Sequence, residues 1–247
     1  MNKEARAILL VADISGFTKF MKSHIISISH GKQVIVRLLK AIIKSSRSPL
    51  KISELEGDAV FFYAVCNKKS LEKTIGEVKL QMIRFFNSFS DEIDTLTGLD
   101  ACSCEACKKT RDLKLKIVVH IGNIQFEKIN KSEKLFGLDV IVVHRMLKNS
   151  VPSKEYVMMT DAAHSDFVDF YGLEGERFRE NLEGIGEVDT LVFYPEKIPD
   201  KKAAEKAAKR PYSLIKRLAW KSVLTKNTVL DWCRIKQIKG NFKHTSA

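Results

Sequence analysis

Nowhere in the 247 residues is there an apolar run long enough to span a bilayer, which excludes a membrane protein built on spanning helices. The first residues, MNKEARAILLVAD, lack the layout of a secretory signal. Their apolar stretch is cut by Asp13, and no small-residue cleavage site follows, so the expected compartment is the cytoplasm. Five cysteines in a chain of this length are too few for a disulfide scaffold. No internal repeat is present, which excludes a solenoid. No helix-turn-helix, zinc-finger spacing or aromatic stacking motif accompanies the positive charge, which argues against nucleic acid as the partner.

What is present is enough apolar material, 45% of residues, for one good-sized core with additions or for two small domains. The net charge of +12 is unevenly placed. From Pro199 to Ala247 there are 13 of the 42 basic residues and 3 of the 30 acidic ones, so the first 198 residues are nearly neutral. This charge break marks a domain boundary, with a body over residues 1–198 and a basic extension over 199–247. Within the extension, SLIKRLAWKSVL places Ile215, Leu218, Ala219, Ser222 and Val223 at helical spacing among lysines and arginine. Such a basic amphipathic helix lies on an anionic membrane or an acidic partner, or packs on the body with its lysines in solvent; the last is the simpler expectation.

The body alternates strand and helix patterns. Ala7–Ala12 is apolar on both faces, as in a central strand. Thr18–Ser45 carries a broad apolar helical face, with Gly31 as an expected interruption. LKISELEGDAVFFYAV predicts a hairpin around Glu56-Gly57-Asp58. A second helix is expected from Asn67 to about Thr97, then two strands joined by a turn at Gly122 and Asn123. LDVIVVHRMLKNS predicts a helix, EYVMMTD a strand, AAHSDF a short helix, and RFRENLEGIGEVDTLVFYP a closing hairpin. The order is that of an α+β, ferredoxin-like βαββαβ sheet with helices on it, followed by a basic, mainly helical C-terminal extension.

Asp13 ends the first strand and Asp58 sits at the turn of the next hairpin, so both carboxylates reach one sheet edge. Two carboxylates that close repel, and one takes a proton unless a cation lies between them. Hard oxygen ligands suit Mg²⁺ or Mn²⁺, and a metal pair suits displacement at phosphorus. The turn ISGFT after Asp13 offers successive N–H groups to phosphate. The plainer reading makes Asp13 an N-cap and Asp58 a turn former. The insertion around residues 100–112 sets Cys102, Cys104 and Cys107 within six residues, the spacing of a structural Zn²⁺ or iron–sulfur site. Cys66, His120 or a partner chain is the fourth ligand in that reading; a redox-labile thiol cluster is the other.

VADISGFTKF followed by ELEGDAVFFY resembles the two metal-aspartate motifs of the class III nucleotidyl cyclases, and VVHIGNIQF, FGLDVIVVHRM and LEGIGEVDTLVFYP are similar, in order, to the rest of that catalytic domain. The resemblance runs from about Ala7 to Pro195 and is closest to a divergent bacterial branch. It implies a class III cyclase-type fold, a head-to-tail homodimer, and conversion of a purine nucleoside triphosphate to a 3′,5′-cyclic nucleotide and pyrophosphate. It further implies two Mg²⁺ or Mn²⁺ ions on Asp13, Asp58 and the Ile14 carbonyl. Phosphate would lie against Gly16, Phe17 and Thr18, and Arg145 would stabilise the transition state. Glu54 and Lys134 stand at the base-reading positions. A carboxylate accepting from guanine N1–H and N2–H₂, with an ammonium donating to O6, favours GTP, unless the two residues pair with each other. The chain departs from the pattern at Ile141, where an asparagine positions ribose, and at Glu183 and Ile185, where basic residues are common. These departures leave a non-catalytic nucleotide-binding or dimerisation module as the alternative.

Overall fold

The computed structural model describes residues 3–23, 28–67, 69–98, 108–130 and 132–197. The expectations for Cys102, Cys104, Cys107 and the 199–247 extension lie outside these residues. Eight strands form one sheet: β1 (Lys3–Ser15), β2 (Lys51–Glu56), β3 (Ala59–Cys66), β4 (Lys114–Ile129), β5 (Ser132–Phe136), β6 (Tyr156–Thr160), β7 (Glu176–Leu182) and β8 (Gly186–Phe193). Five helices accompany them: α1 (Phe17–Ser23), α2 (Ile28–Ser45), α3 (Leu71–Gly98), α4 (Leu138–Arg145) and α5 (Asp161–Phe167). The strand order is β2-β3-β1-β4-β6-β8-β7, with β5 paired to β4 outside that path.

β1 lies between β3 and β4, antiparallel to both, and residues Ala7 to Ala12 are wholly buried. Its alternation divides the core. Ile8, Leu10, Ala12 and Ile14 face the layer of α2 and α3, while Ala7, Leu9 and Val11 face α4. On the first face Phe62 of β3 stacks on Phe85 of α3 at 5.0 Å. Each such side chain contributes about 1.5–3 kcal/mol by leaving water. The apolar face of α2 continues through Gly31, which is buried inside the helix, so the expected interruption there does not occur.

The two-strand reading of residues 114–129 is also corrected. Gly122 and Asn123 form no turn, and β4 runs unbroken for 16 residues. Residues 114–126 of it pair with β1, from Lys3↔Phe126 to Ser15↔Lys114. Gly122 is there for space, because a Cβ on it would lie 2.1 Å from Cγ of Asp139 at the start of α4. A pattern that reads as a turn is the notch into which a helix carboxylate fits.

Candidate active site

β1 and β3 pair in a register that sets Asp13 opposite Ala59, one residue beyond Asp58. The Ile14 N–H donates to the Asp58 carbonyl at 3.2 Å, which ties the β2–β3 turn to the end of β1. Gly57 makes that turn with φ +62°, and Gly16 makes the next one with φ +89°, a left-handed conformation that favours glycine. Asp13, Ile14, Gly16, Phe17, Thr18 and Asp58 thereby line a single cleft of ≈490 Å³.

The two carboxylates stand in one another's field. Burial and the Asp13 charge push Asp58 up to about 6, against partial relief from a backbone hydrogen bond and Lys116. Lys116 sits opposite Asp13 in the β1–β4 register, its ammonium 3.1 Å from Asp13 Oδ2 and donating to the Leu147 carbonyl at 2.9 Å. The cleft thus already draws one cation to its carboxylates. Lys19 and Lys154 also line it, so an anion meets positive charge around the aspartate pair. The far wall is held in place by Glu180, a buried carboxylate of β7. It accepts from the Ser150 N–H at 3.0 Å and from the Ser150 hydroxyl at 2.7 Å. Among the described residues no cluster of three His, Cys, Asp or Glu side chains is placed to hold a metal. The donor set suits a hard cation nonetheless, since Lys116 meets Asp13 while Asp58 forms no ion pair among the described residues.

The remaining expected site residues lie away from this cleft. A bulge between Ile52 and Glu54 turns Glu54 and Glu56 of β2 toward the α4 face. There Glu54 pairs with Lys134 of β5 at 3.0 Å, and Glu56 with His144 of α4 at 3.3 Å. Arg145, the last residue of α4, pairs with Glu183 of the β7–β8 turn. Lys134, His144 and Arg145 are thus each met by a glutamate of the same chain. Ile141 is half-exposed beside them on α4, as are Leu138 on the same helix and Phe136 at the end of β5.

His120 and Cys66, the candidate fourth ligands of the cysteine loop, are both occupied. His120 meets Asp139 Oδ1 through Nε2 at 3.0 Å and Thr160 Oγ1 through Nδ1 at 2.8 Å. Thr160 Oγ1 also accepts the Ala163 N–H, capping α5, so its hydroxyl proton is free to donate to His120. Asp139 accepts the Asn123 N–H with its other oxygen at 2.6 Å. Cys66 is buried in the core, and burial pushes its thiol up, away from the thiolate a metal requires. The roles of Lys116, Glu56, His144 and Asp139 escape a sequence reading, because only the strand register brings them to their partners.

The family model described as a protein of unknown function (DUF2652) matches residues 35–156. The Mycobacterium tuberculosis protein named "Uncharacterized protein Rv2561/Rv2562" is 33% identical over 156 residues, which cover 63% of this chain and 71% of that protein. Among solved structures, the adenylyl cyclase CyaB from Pseudomonas aeruginosa superposes with a TM-score of 0.59 at 12% identity, covering 78% of this chain and 96% of that one. A class III adenylyl cyclase-like ATP-binding protein from the same organism gives a TM-score of 0.54 at 20% identity, over 67% of this chain and 35% of that one. The chain therefore spans about a third of that longer protein. The fold is cyclase-like, with a mixed α+β sheet and helices.

Proposed function

Because the chain belongs to the family of the mycobacterial protein Rv2561/Rv2562 and has a cyclase-like fold, we propose that it is a metal-dependent purine nucleotidyl cyclase-like protein. Its reaction converts a nucleoside triphosphate to a 3′,5′-cyclic nucleotide and pyrophosphate. The observation that carries this reading is the juxtaposition of Asp13 and Asp58 in one cleft, with Asp58 pushed up to about 6 by burial and by its neighbour.

Asp13, Asp58 and the Ile14 carbonyl hold Mg²⁺ or Mn²⁺, two per site. Bound there, the metal polarises phosphate oxygens and lowers the pKa of the attacking hydroxyl. The N–H groups of Gly16, Phe17 and Thr18, at the unpaired start of α1, receive phosphate oxygens. Lys116, paired with Asp13 at 3.1 Å, would compete with a divalent ion for that carboxylate. Arg145 is the group that neutralises charge on the α-phosphate, reaching it across a homodimer interface, and Glu54 and Lys134 read the base. Residues 1–198 form this domain. The insertion with Cys102, Cys104 and Cys107 holds structural Zn²⁺ or an iron–sulfur cluster. The 199–247 extension packs on the body or engages an anionic membrane or acidic partner.

A second reading, a nucleotide-binding or dimerisation module without turnover, is favoured by one specific observation: Arg145, Lys134 and His144 are each paired with a glutamate of the same chain. Incubating the purified full chain with Mn²⁺ and either ATP or GTP, with mass-spectrometric detection of product, separates the two. A cyclic nucleotide is expected. Tight Mn²⁺–nucleotide binding without product selects the module, and absence of both binding and product overturns the site.

A further inference from the structure

The two sides of α4 meet different surroundings. Val142 and Val143 point into the sheet and are buried. Leu138 and Ile141, one turn apart on the outer side, are 64% and 48% exposed, and Phe136, just before the helix, is 46% exposed. Glutamates flank this apolar row from opposite edges of the sheet, since β2 forms one edge and β7 the other. Glu56 of β2 reaches His144, and Glu183 of the β7–β8 turn reaches Arg145, three and four residues beyond Ile141. Glu54 of β2 meets Lys134, two residues before Phe136. Glu56 and Glu183 remain 43% and 83% exposed, so each keeps acceptor capacity for a further donor. An apolar row with carboxylates on both sides suits a helix whose apolar stripe is bordered by cations.

The chain's own sequence contains such a segment, outside the described residues. In SLIKRLAWKSVL, residues 213–224, Ile215, Leu218, Ala219, Ser222 and Val223 fall on one side at helical spacing, with Lys216, Arg217 and Lys221 outside it. The described chain ends on the matching side of the sheet. Tyr194 packs into the cluster beneath α4 and donates its hydroxyl to Glu176 at 2.7 Å, three residues before the last described residue, Lys197. From there residues 198–212 span up to about 50 Å when extended, whereas a body of this size has a radius of gyration of about 16 Å. The segment is therefore within reach of α4. Charge points the same way. Residues 161–197 carry 10 acidic and 3 basic residues, and residues 199–247, which follow them, carry 3 acidic and 13 basic. Consecutive stretches of opposite charge favour folding the second back on the first.

We propose that residues 213–224 dock, within the same chain, on the outer row formed by Phe136, Leu138 and Ile141. Ile215, Leu218 and Val223 cover the row, and Lys216, Arg217 and Lys221 add donors to the glutamates that flank it. The docking itself is independent of any cyclase activity. Its consequence rests on the cyclase reading. A docked extension covers Arg145 and the Glu54–Lys134 pair, so it competes with a second copy of the chain for the face through which Arg145 would act.

The test places a photo-cross-linking side chain in the row, as Ile141→p-benzoylphenylalanine in the full chain, and maps the products by mass spectrometry. A cross-link within one chain, into residues 213–224, is expected. The same group at Val168, a 76% exposed position just after α5, is expected to give none. Leu218→Asp is expected to lower the yield by about tenfold or more, because it sets a charge into the apolar contact. Lys216→Glu with Lys221→Glu is expected to lower it by about threefold, and by less at high salt. These changes lie in the extension, so every described residue of the body keeps its identity. Absence of the cross-link overturns the proposal, as does an undiminished yield in Leu218→Asp. A product joining two chains through their bodies overturns it as well, and names a second copy as the occupant. No nucleotide enters the measurement, so its failure is distinct from failure of the cyclase reading.

Discussion

Two regions of the α4 side treat charge in opposite ways. At the ends of β1 and the β2–β3 turn, like charges are forced together, and one carboxyl is pushed up to about 6 by burial and then by its neighbour's charge. Around α4, β5 and the β7–β8 turn, each basic side chain of interest already has a glutamate. The first region holds an unmet demand for a cation. The second has met its own demand for anions. A site that accepts a metal and then a polyanion is built by the first arrangement and restrained by the second.

The largest effect is expected where the first region is dismantled. Asp13→Ala or Asp58→Ala lowers Mn²⁺-dependent nucleotide affinity by about 100-fold while leaving the circular-dichroism spectrum unchanged, because the carboxylates serve charge rather than packing. Wild-type affinity in both variants, read by calorimetry, removes the proposed metal site.

Next comes the second region's Glu54–Lys134 pair, the proposed base readers. The chain is expected to bind GTP more tightly than ATP, and Glu54→Lys to weaken GTP by about tenfold, as the guanine N–H donors lose their acceptor and Lys134 loses its partner. Stronger binding of ATP reverses the assignment. Binding of neither nucleotide means that the Glu54–Lys134 pair closes the pocket.

A smaller effect separates repulsion from ligation. Asp58 binds its proton more tightly folded than unfolded, so its contribution favours the native state at low pH and is lost as pH rises from about 4 to about 6. Asp58→Asn at pH 7.5 is expected to raise stability by about 1 kcal/mol, discounted for solvent screening, and to flatten the melting temperature across that window. Unchanged melting at both pH values shows that Lys116 alone neutralises the pair.

The smallest change is expected from Glu183→Gln, which releases Arg145 from an exposed pair. Triphosphate affinity rises by at most about fivefold, since exposed ion pairs are worth less than about 1 kcal/mol. A rise well beyond this marks Glu183 as a stronger restraint than its exposure implies.

The sheet was largely legible because its signals are local. β1 is a continuous apolar run, and the β2–β3 and β7–β8 hairpins carry glycines at their turns. Two elements resisted. β5 is the short, charged segment SEKLF, held by pairing with β4 rather than by any pattern of its own. β4 was divided because Gly122-Asn123 has turn chemistry, while its reason for being there is Asp139, distant in sequence. The site divides in the same way. Asp13 announces itself as an acid after an apolar run, and Asp58 as an acid at a glycine turn before one. Lys116 is one lysine among many until β1 and β4 are in register, and the β2 bulge that turns Glu54 and Glu56 toward α4 leaves no mark in composition.

The position of β1 has a consequence for how the protein is made. β1 carries an uninterrupted apolar stretch from Ala7 to Ala12, and it pairs with β4 over residues 114–126. Its other neighbour, β3, arrives some fifty residues later and covers one edge only. Until β4 has been translated, the apolar Ala7–Ala12 stretch of β1 has one edge open in a crowded cell. Such late, long-range pairing slows closure of the core and exposes nascent chains to one another. The central strand that makes the finished domain secure is thus its point of greatest vulnerability during synthesis. Slower translation or holding chaperones acting before β4 emerges will govern how much of the protein survives to fold.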